Sequence, residues 1–344
     1  MKTTAGILRS RIGLVTAGAL AALCVSLAPP AQAQDKVFVM KMSTATINDT
    51  QHEWLKRFAA AVEKDSGGRI KAEIYPASQL GPIARQIEGV QFGSVQVYIG
   101  PPEFLSGIDV RYEALSAPGL FTSTDQAVRV INDPDVQKLM FGLGENKGLV
   151  GIGFAPIGPS SMVTKTDARH LADIRGKKIR VLASPFQLEM IRRMDASPIA
   201  MTLGDVLPAL QQGAIDGALG AIVVWTTFQY QDATKFVILN EQPYLNSIIV
   251  MSRKWLASLP SDLQKVVRDD AAQVSKDIVP FVKEWVANQY DIWKSRGGQV
   301  IRFPADEQAA MMAKISTIGE DLSKDKPELN AAVKLVFDSA RRNK

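Results

Sequence analysis

The chain has 344 residues, 46% of them hydrophobic and 22% charged, a balance that suits a globular protein large enough for two cores and argues against disorder. The formal net charge is +5, with two histidines and no long basic run, so nothing resembles a nucleic-acid footprint.

The N-terminus reads as an export signal. Lys2, Arg9 and Arg11 precede an apolar run from Ile12 to Leu27, and Ala31-Gln32-Ala33 follows as an A-x-A site, which places the cut before Gln34. The run is shorter than the roughly 20 residues of a bilayer-spanning helix. Cys24, the only cysteine, follows Leu23, where a lipoprotein signal needs a small residue. Residues 34–344 are expected to be soluble and exported, without thiol chemistry and with a net charge of +2 once the segment's three basic residues are removed.

Val37-Phe-Val-Met-Lys-Met-Ser43 predicts a strand. From Thr50, Trp54, Leu55, Phe58, Ala59 and Val62 recur at helical spacing until Gly67-Gly68. Ile70–Tyr75 alternates as a strand. A helix carrying Ile83, Ile87 and Val90 ends at Gly93, and Val95–Ile99 is the next strand. Strands alternating with helices of about ten residues imply an α/β unit with a mainly parallel sheet.

The second half repeats the pattern: strand Lys178–Leu182, helix Pro185–Met194, helix Asp205–Gln212 ended by Gly213, strand Ala214–Leu219. Gln91-Phe-Gly93 is echoed by Gln211-Gln-Gly213 about 120 residues later, as two lobes built alike would produce. Ser261–Lys294 predicts a long helix on the order of 50 Å, enough to cross both lobes, with a bend at Pro280. A strand Val300–Phe303 and two helices, Asp306–Leu322 and Glu328–Arg341, close the chain.

Catalytic equipment is missing from the sequence. There is no G-x-S-x-G elbow, and His52 and His170 have no evident partner for a nucleophile or a zinc set. Gly142-Leu-Gly144-Glu-Asn-Lys-Gly148 misses the dinucleotide spacing and precedes a strand instead of following one. Asp269-Asp270 lies on the polar face of the long helix. What remains is a binding protein with a small ligand held between lobes. Arg180 stands out, because a guanidinium inside an otherwise apolar strand needs water or an anionic partner.

Several stretches resemble the DctP-type solute-binding proteins of TRAP (tripartite ATP-independent periplasmic) transporters: Gly67-Gly68-Arg69, Tyr75-Pro76, Gln79-Leu80-Gly81, Gln91-Phe-Gly93, Pro118-Gly-Leu-Phe121, Gly176-Lys-Lys-Ile-Arg180-Val, Ala209-Leu-Gln-Gln-Gly213-Ala-Ile-Asp216-Gly217, and Trp255 with Leu259-Pro260. The resemblance covers essentially all of residues 34–344. It implies a type II-like, two-lobed α/β periplasmic binding protein fold with the long helix spanning both lobes. Lobe I would hold 34–157 and 246–285, and lobe II 158–245 and 286–344. It implies a periplasmic receptor that delivers an organic acid to a membrane permease; a monomer without cofactor is expected, and no residues are singled out as metal ligands.

In the resemblance, Arg180 matches the family arginine that clamps the ligand carboxylate in a bidentate salt bridge. Two departures follow. Ser160 stands where many members carry a second arginine, and Gly217-Ala218-Leu219-Gly220-Ala221 replaces a Gly-Gln-Glu-Asn-Pro run, so that Gly220 takes the place of a ligand-binding asparagine. Losing polar partners disfavours dicarboxylates and sugar acids, and small residues at Gly220 and Ala218 are expected to open volume. The expected ligand is an aromatic or bulky apolar monocarboxylate. Its carboxylate would sit on Arg180, assisted by Ser160 or Ser184, its body against Phe154, Phe186 and Trp225 near Phe228, with Leu203 a further candidate. A C4-dicarboxylate or 2-oxo acid is the rival ligand, and a periplasmic hydrolase or isomerase the rival function.

Overall fold

The computed structural model describes residues 36–344; the export segment, its cleavage site and Cys24 lie outside them. In chain order the first elements are β1 (Phe38–Ser43), α1 (Thr50–Asp65), β2 (Ile70–Tyr75), α2 (Ile83–Phe92) and β3 (Val97–Gly100). Asp49 caps α1 by accepting the His52 N–H at 3.0 Å, and Trp54, Leu55, Phe58 and Val62 bury one face, as their spacing predicts. After α3 (Thr124–Ile131) and α4 (Pro134–Gly142) comes β4 (Leu149–Thr164). Next are β5 (Lys178–Val181), α5 (Pro185–Arg193), β6 (Ser197–Ala200), α6 (Leu203–Gln212), β7 (Gly217–Ala221) and α7 (Ile222–Thr227). The chain then runs through β8 (Phe236–Ile238), β9 (Tyr244–Ser252), α8 (Arg253–Ser258), α9 (Ser261–Ser295), β10 (Gln299–Ile301), α10 (Ala305–Ile315), α11 (Ile318–Ser323) and α12 (Pro327–Arg342).

The sheet order is β2-β1-β3-β9-β4-β7-β5-β6, with β8 pairing β4 and β10 pairing β8. Two parallel triplets, β2-β1-β3 and β7-β5-β6, flank an antiparallel centre made by β9 and β4. Each triplet places its first strand in the middle. The echoed glycines occupy the same junction in both: Gly93 ends α2 before β3, and Gly213 ends α6 before β7. Each has a left-handed backbone whose N–H bonds the helix's last carbonyls.

The mainly parallel sheet expected from the sequence is therefore mixed, because β4 and β9 run antiparallel through its centre. β4 is 16 residues long and buried along nearly its whole length, with register shifts at Gly151/Gly153 and Pro156/Gly158. Its first half pairs β9, and its second half pairs β7 and β8, so a single strand runs through both halves of the sheet.

Pro280 lies inside α9 without ending it. Leu263, Val267, Val274, Ile278 and Val282 of this helix join a core with Trp54, Met42 and Val97. Trp293, further along, joins another with Trp225, Tyr230 and Leu210. The single closing helix expected over Asp306–Leu322 is two, α10 and α11, broken at Ser316-Thr317. Among the described residues, no helix is long and apolar enough to cross a membrane.

Candidate functional site

A cavity of about 50 Å³ lies between the C-terminal ends of the two parallel triplets. One water needs ~10–15 Å³ by such a measure, so the space is more than a single water fills. One wall carries Ala45, Thr46 and Gln51 from β1–α1, Ile83 of α2, Tyr98 of β3, and Pro101 and Phe104 beyond it. The facing wall carries Arg180 of β5, Leu182, Leu203 of α6, Gly220 and Ala221 of β7, and Val224 and Trp225 of α7. Ile157 and Leu245 close it from the antiparallel centre. The crevice beyond the carboxyl ends of parallel strands is where open α/β sheets hold ligands.

Arg180 is the only charged residue in this lining and is 2% exposed. Its Nε donates to the Met201 carbonyl at 2.9 Å and its Nη1 to the Leu219 carbonyl at 3.1 Å. Those bonds fix the guanidinium plane and use two of its five N–H donors. None of the ion pairs among the described residues includes it. Burial pulls its pKa down to about 10, with Tyr230 acting weakly the other way, and the side chain remains cationic. The guanidinium is thus a buried cation with spare donors and no carboxylate partner among the described residues, an arrangement that costs free energy unless an anion meets it.

Trp225 is fully buried. Its Nε1 donates to Ser161 Oγ at 3.0 Å, and its ring packs on Tyr230 with centroids 4.8 Å apart. Gly220 lies directly against the indole: a Cβ there would meet Cζ2 at 2.6 Å and Cη2 at 2.7 Å. The volume expected at Gly220 is thus occupied by Trp225, and Ala218 is core and not lining. Opposite Arg180, Gln51 Oε1 accepts a hydrogen bond from Thr44 Oγ1 at 3.0 Å, while its Nε2 meets no protein acceptor among the described residues.

Of the residues singled out in the sequence, Arg180, Leu203, Gly220 and Trp225 come together in the lining. The other four point elsewhere. Ser160 Oγ donates to the Gln242 carbonyl at 2.5 Å and accepts from Asn240 Nδ2 at 3.0 Å. Ser184 Oγ caps α5 and donates to Glu113 Oε2 at 2.6 Å. Phe154 packs on Phe141 with centroids 5.1 Å apart, and Phe186 is buried in the same core cluster. Gln51, Thr46, Tyr98 and Phe104 were not anticipated. The only available signal was the ends of β1 and β3, where a repeated βαβ unit would mirror the end of β5.

The comparisons with known proteins point to one family. The family model described as DctP, bacterial extracellular solute-binding protein, family 7, matches residues 42–325. The C4-dicarboxylate-binding periplasmic protein DctP of Rhodobacter capsulatus is 24% identical over 305 residues, 88% of this chain and 91% of that one. A TRAP periplasmic solute-binding protein from Desulfovibrio salexigens with bound orotic acid superposes with a TM-score of 0.84 at 22% identity, covering 89% of this chain and 100% of that one. The sugar acid binding protein of Advenella mimigardefordensis, in complex with galactonate, superposes at 0.85 with 21% identity over 90% and 99% of the two chains. The family is one of periplasmic receptors that bind small organic acids and work with a membrane permease, and its two-lobed α/β fold is the one described above. The chain belongs to this family, as a DctP-type solute-binding protein of the TRAP class.

Proposed function

We propose that this receptor takes a compact monocarboxylate with an aromatic or branched apolar body. The observation that carries the reading is the solitary Arg180, a buried guanidinium with spare donors in a cavity lined by no other charge. One cation satisfies one carboxylate, and a second carboxylate buried here would meet no opposite charge. The remaining wall is largely apolar, with Trp225, Tyr98 and Phe104 presenting rings and Leu182, Leu203 and Val224 aliphatic surface. The ligands named for related proteins, a C4-dicarboxylate, galactonate and orotic acid, are all carboxylic acids and vary beyond that group.

On this reading, lobe I (34–157 and 246–285) and lobe II (158–245 and 286–344) close on the acid, with β4, β9 and α9 as the shared elements. The receptor, exported by its N-terminal segment, acts in the periplasm as a binding protein and not an enzyme. Thermal-shift screening tests the ligand class. Aryl and branched aliphatic monocarboxylates are expected to raise the melting temperature, ligand at 100 times its dissociation constant adding about 2.7 kcal/mol. Stabilisation by succinate or malate with none from any monocarboxylate would sink the proposal.

A further inference from the structure

The wall facing Arg180 contains one buried side-chain amide, and its orientation is set by its neighbours. Thr46 N–H donates to Thr44 Oγ1 at 3.4 Å. Thr44 Oγ1 also lies 3.3 Å from Thr46 Oγ1, and it donates its proton to Gln51 Oε1 at 3.0 Å. The chain of bonds holds the acceptor end of the amide against the protein and leaves Nε2 as the free end. Gln51 is only 4% exposed and lines the cavity, and Nε2 has no hydrogen bond among the described residues. The Tyr98 hydroxyl, on the same wall, likewise appears in no hydrogen bond among them. An amide N–H₂ that faces the cavity without a protein acceptor loses its water when a ligand fills the space, and that loss costs free energy unless the ligand brings an acceptor.

We infer that Gln51 is a specificity-determining residue whose Nε2 demands a neutral hydrogen-bond acceptor on the part of the ligand facing α1, so that the cognate acid is an oxo- or ether-bearing monocarboxylate. The inference rests on the proposed monocarboxylate reading and narrows it. The acceptor is a carbonyl or ether oxygen. A second carboxylate would be held by an uncharged amide alone, with no cation on that wall, and would keep most of its desolvation cost. A saturated hydrocarbon chain would leave Nε2 unpaired, and sites built to bond a polar group reject analogues that lack it more strongly than apolar pockets reject an extra group.

The test uses two shape-matched pairs of acids, 4-oxopentanoate against 4-methylpentanoate and 4-acetylbenzoate against 4-isopropylbenzoate, titrated calorimetrically into the full receptor. The ratio of affinities within a pair is the readout, so differences in size and carboxylate contact cancel. The wild type is expected to prefer the oxo member by about tenfold or more in at least one pair. Gln51→Leu is expected to collapse that ratio towards one. Thr44→Val, which frees the amide to turn, is expected to narrow it, and serves if Gln51→Leu fails to fold. Equal affinities within both pairs, or a preference that survives in both variants, would overturn the inference while leaving the monocarboxylate reading standing. If none of the four acids binds, the inference is overturned, whereas the monocarboxylate reading falls only if the thermal-shift screen finds no monocarboxylate that stabilises the receptor.

Discussion

Gly220 and Trp225 fit together as one unit, the glycine having no Cβ because the indole occupies the place a Cβ would take, 2.6 Å from Cζ2. The ring cannot easily retreat, since Ser161 holds its Nε1 and Tyr230 packs on its face. Gly220→Asn is therefore expected to destabilise the protein by about 1–3 kcal/mol through overpacking. Combining it with Trp225→Ala should recover much of that loss, giving a coupling of at least ~1 kcal/mol in a thermal or urea double-mutant cycle. Strictly additive effects would show that the ring is not the obstacle.

Replacing Arg180 separates binding from folding. Arg180→Met removes both the charge and the bidentate donors, and affinity for any anionic ligand should fall by a factor of about 100 or more, as expected for two charge-assisted hydrogen bonds. The ligand-free protein should melt within a few degrees of wild type, because the buried guanidinium has no carboxylate among the described residues and only two carbonyl hydrogen bonds offset its desolvation. Arg180→Lys keeps the charge but not the fork, and should still lose most of the affinity. Calorimetry with a ligand from the thermal-shift screen, beside melting curves, checks both halves.

Helices α1, α2, α5, α6, α9 and α12 and strands β1, β2, β3, β5 and β7 were legible because amphipathic periodicity and glycine caps are local signals, whereas β6, the edge of the second triplet, was not anticipated. β4 was not, since a strand buried on both faces and interrupted by Gly151, Gly153, Pro156 and Gly158 shows no alternation. Without β4 and β9 the sheet's antiparallel centre is invisible. In the site, Arg180 was legible as a charge in an apolar strand, and Trp225 followed from its closeness in sequence to Gly220. Gln51, Tyr98 and Phe104 lie more than 70 residues before Arg180 and read there as ordinary helix, strand and turn. Ser184 and Ser160 carried hydroxyls whose protein partners, Glu113 and Gln242, are distant in sequence.

Ser160 is expected to matter for stability and not for the ligand. Its hydroxyl bonds the Gln242 carbonyl and the Asn240 amide, and the Gln242 side chain in turn bonds Gly119 N and the Phe121 carbonyl. Ser160→Ala should cost about 1–2 kcal/mol by leaving buried polar atoms short of a partner, with affinity changed by less than about threefold. Lost affinity at unchanged stability would return the hydroxyl to the ligand.

Glu113 should make stability fall with rising pH. Its carboxyl is fully buried, and burial pushes its pKa up to about 8, with neighbouring Glu103 adding to the rise and the Ser184 hydrogen bond opposing it. Burial also raises Glu103, whose Oε1 accepts from Gln187 Nε2 at 3.2 Å. The folded pKa lies above the ordinary value of 4.5, so the native state holds a proton that the unfolded chain releases. Its stabilising effect is complete below pH 4.5 and disappears as the pH climbs through 8, at a slope of up to ~1.4 kcal/mol per pH unit for each such proton. Melting temperatures of the ligand-free protein should decline between about pH 4.5 and pH 8 and level off above it. Glu113→Gln, a neutral isostere that still accepts from Ser184, should flatten the decline and melt higher than wild type at pH 9. Parallel curves for the two proteins would mean that Glu113 does not hold the proton.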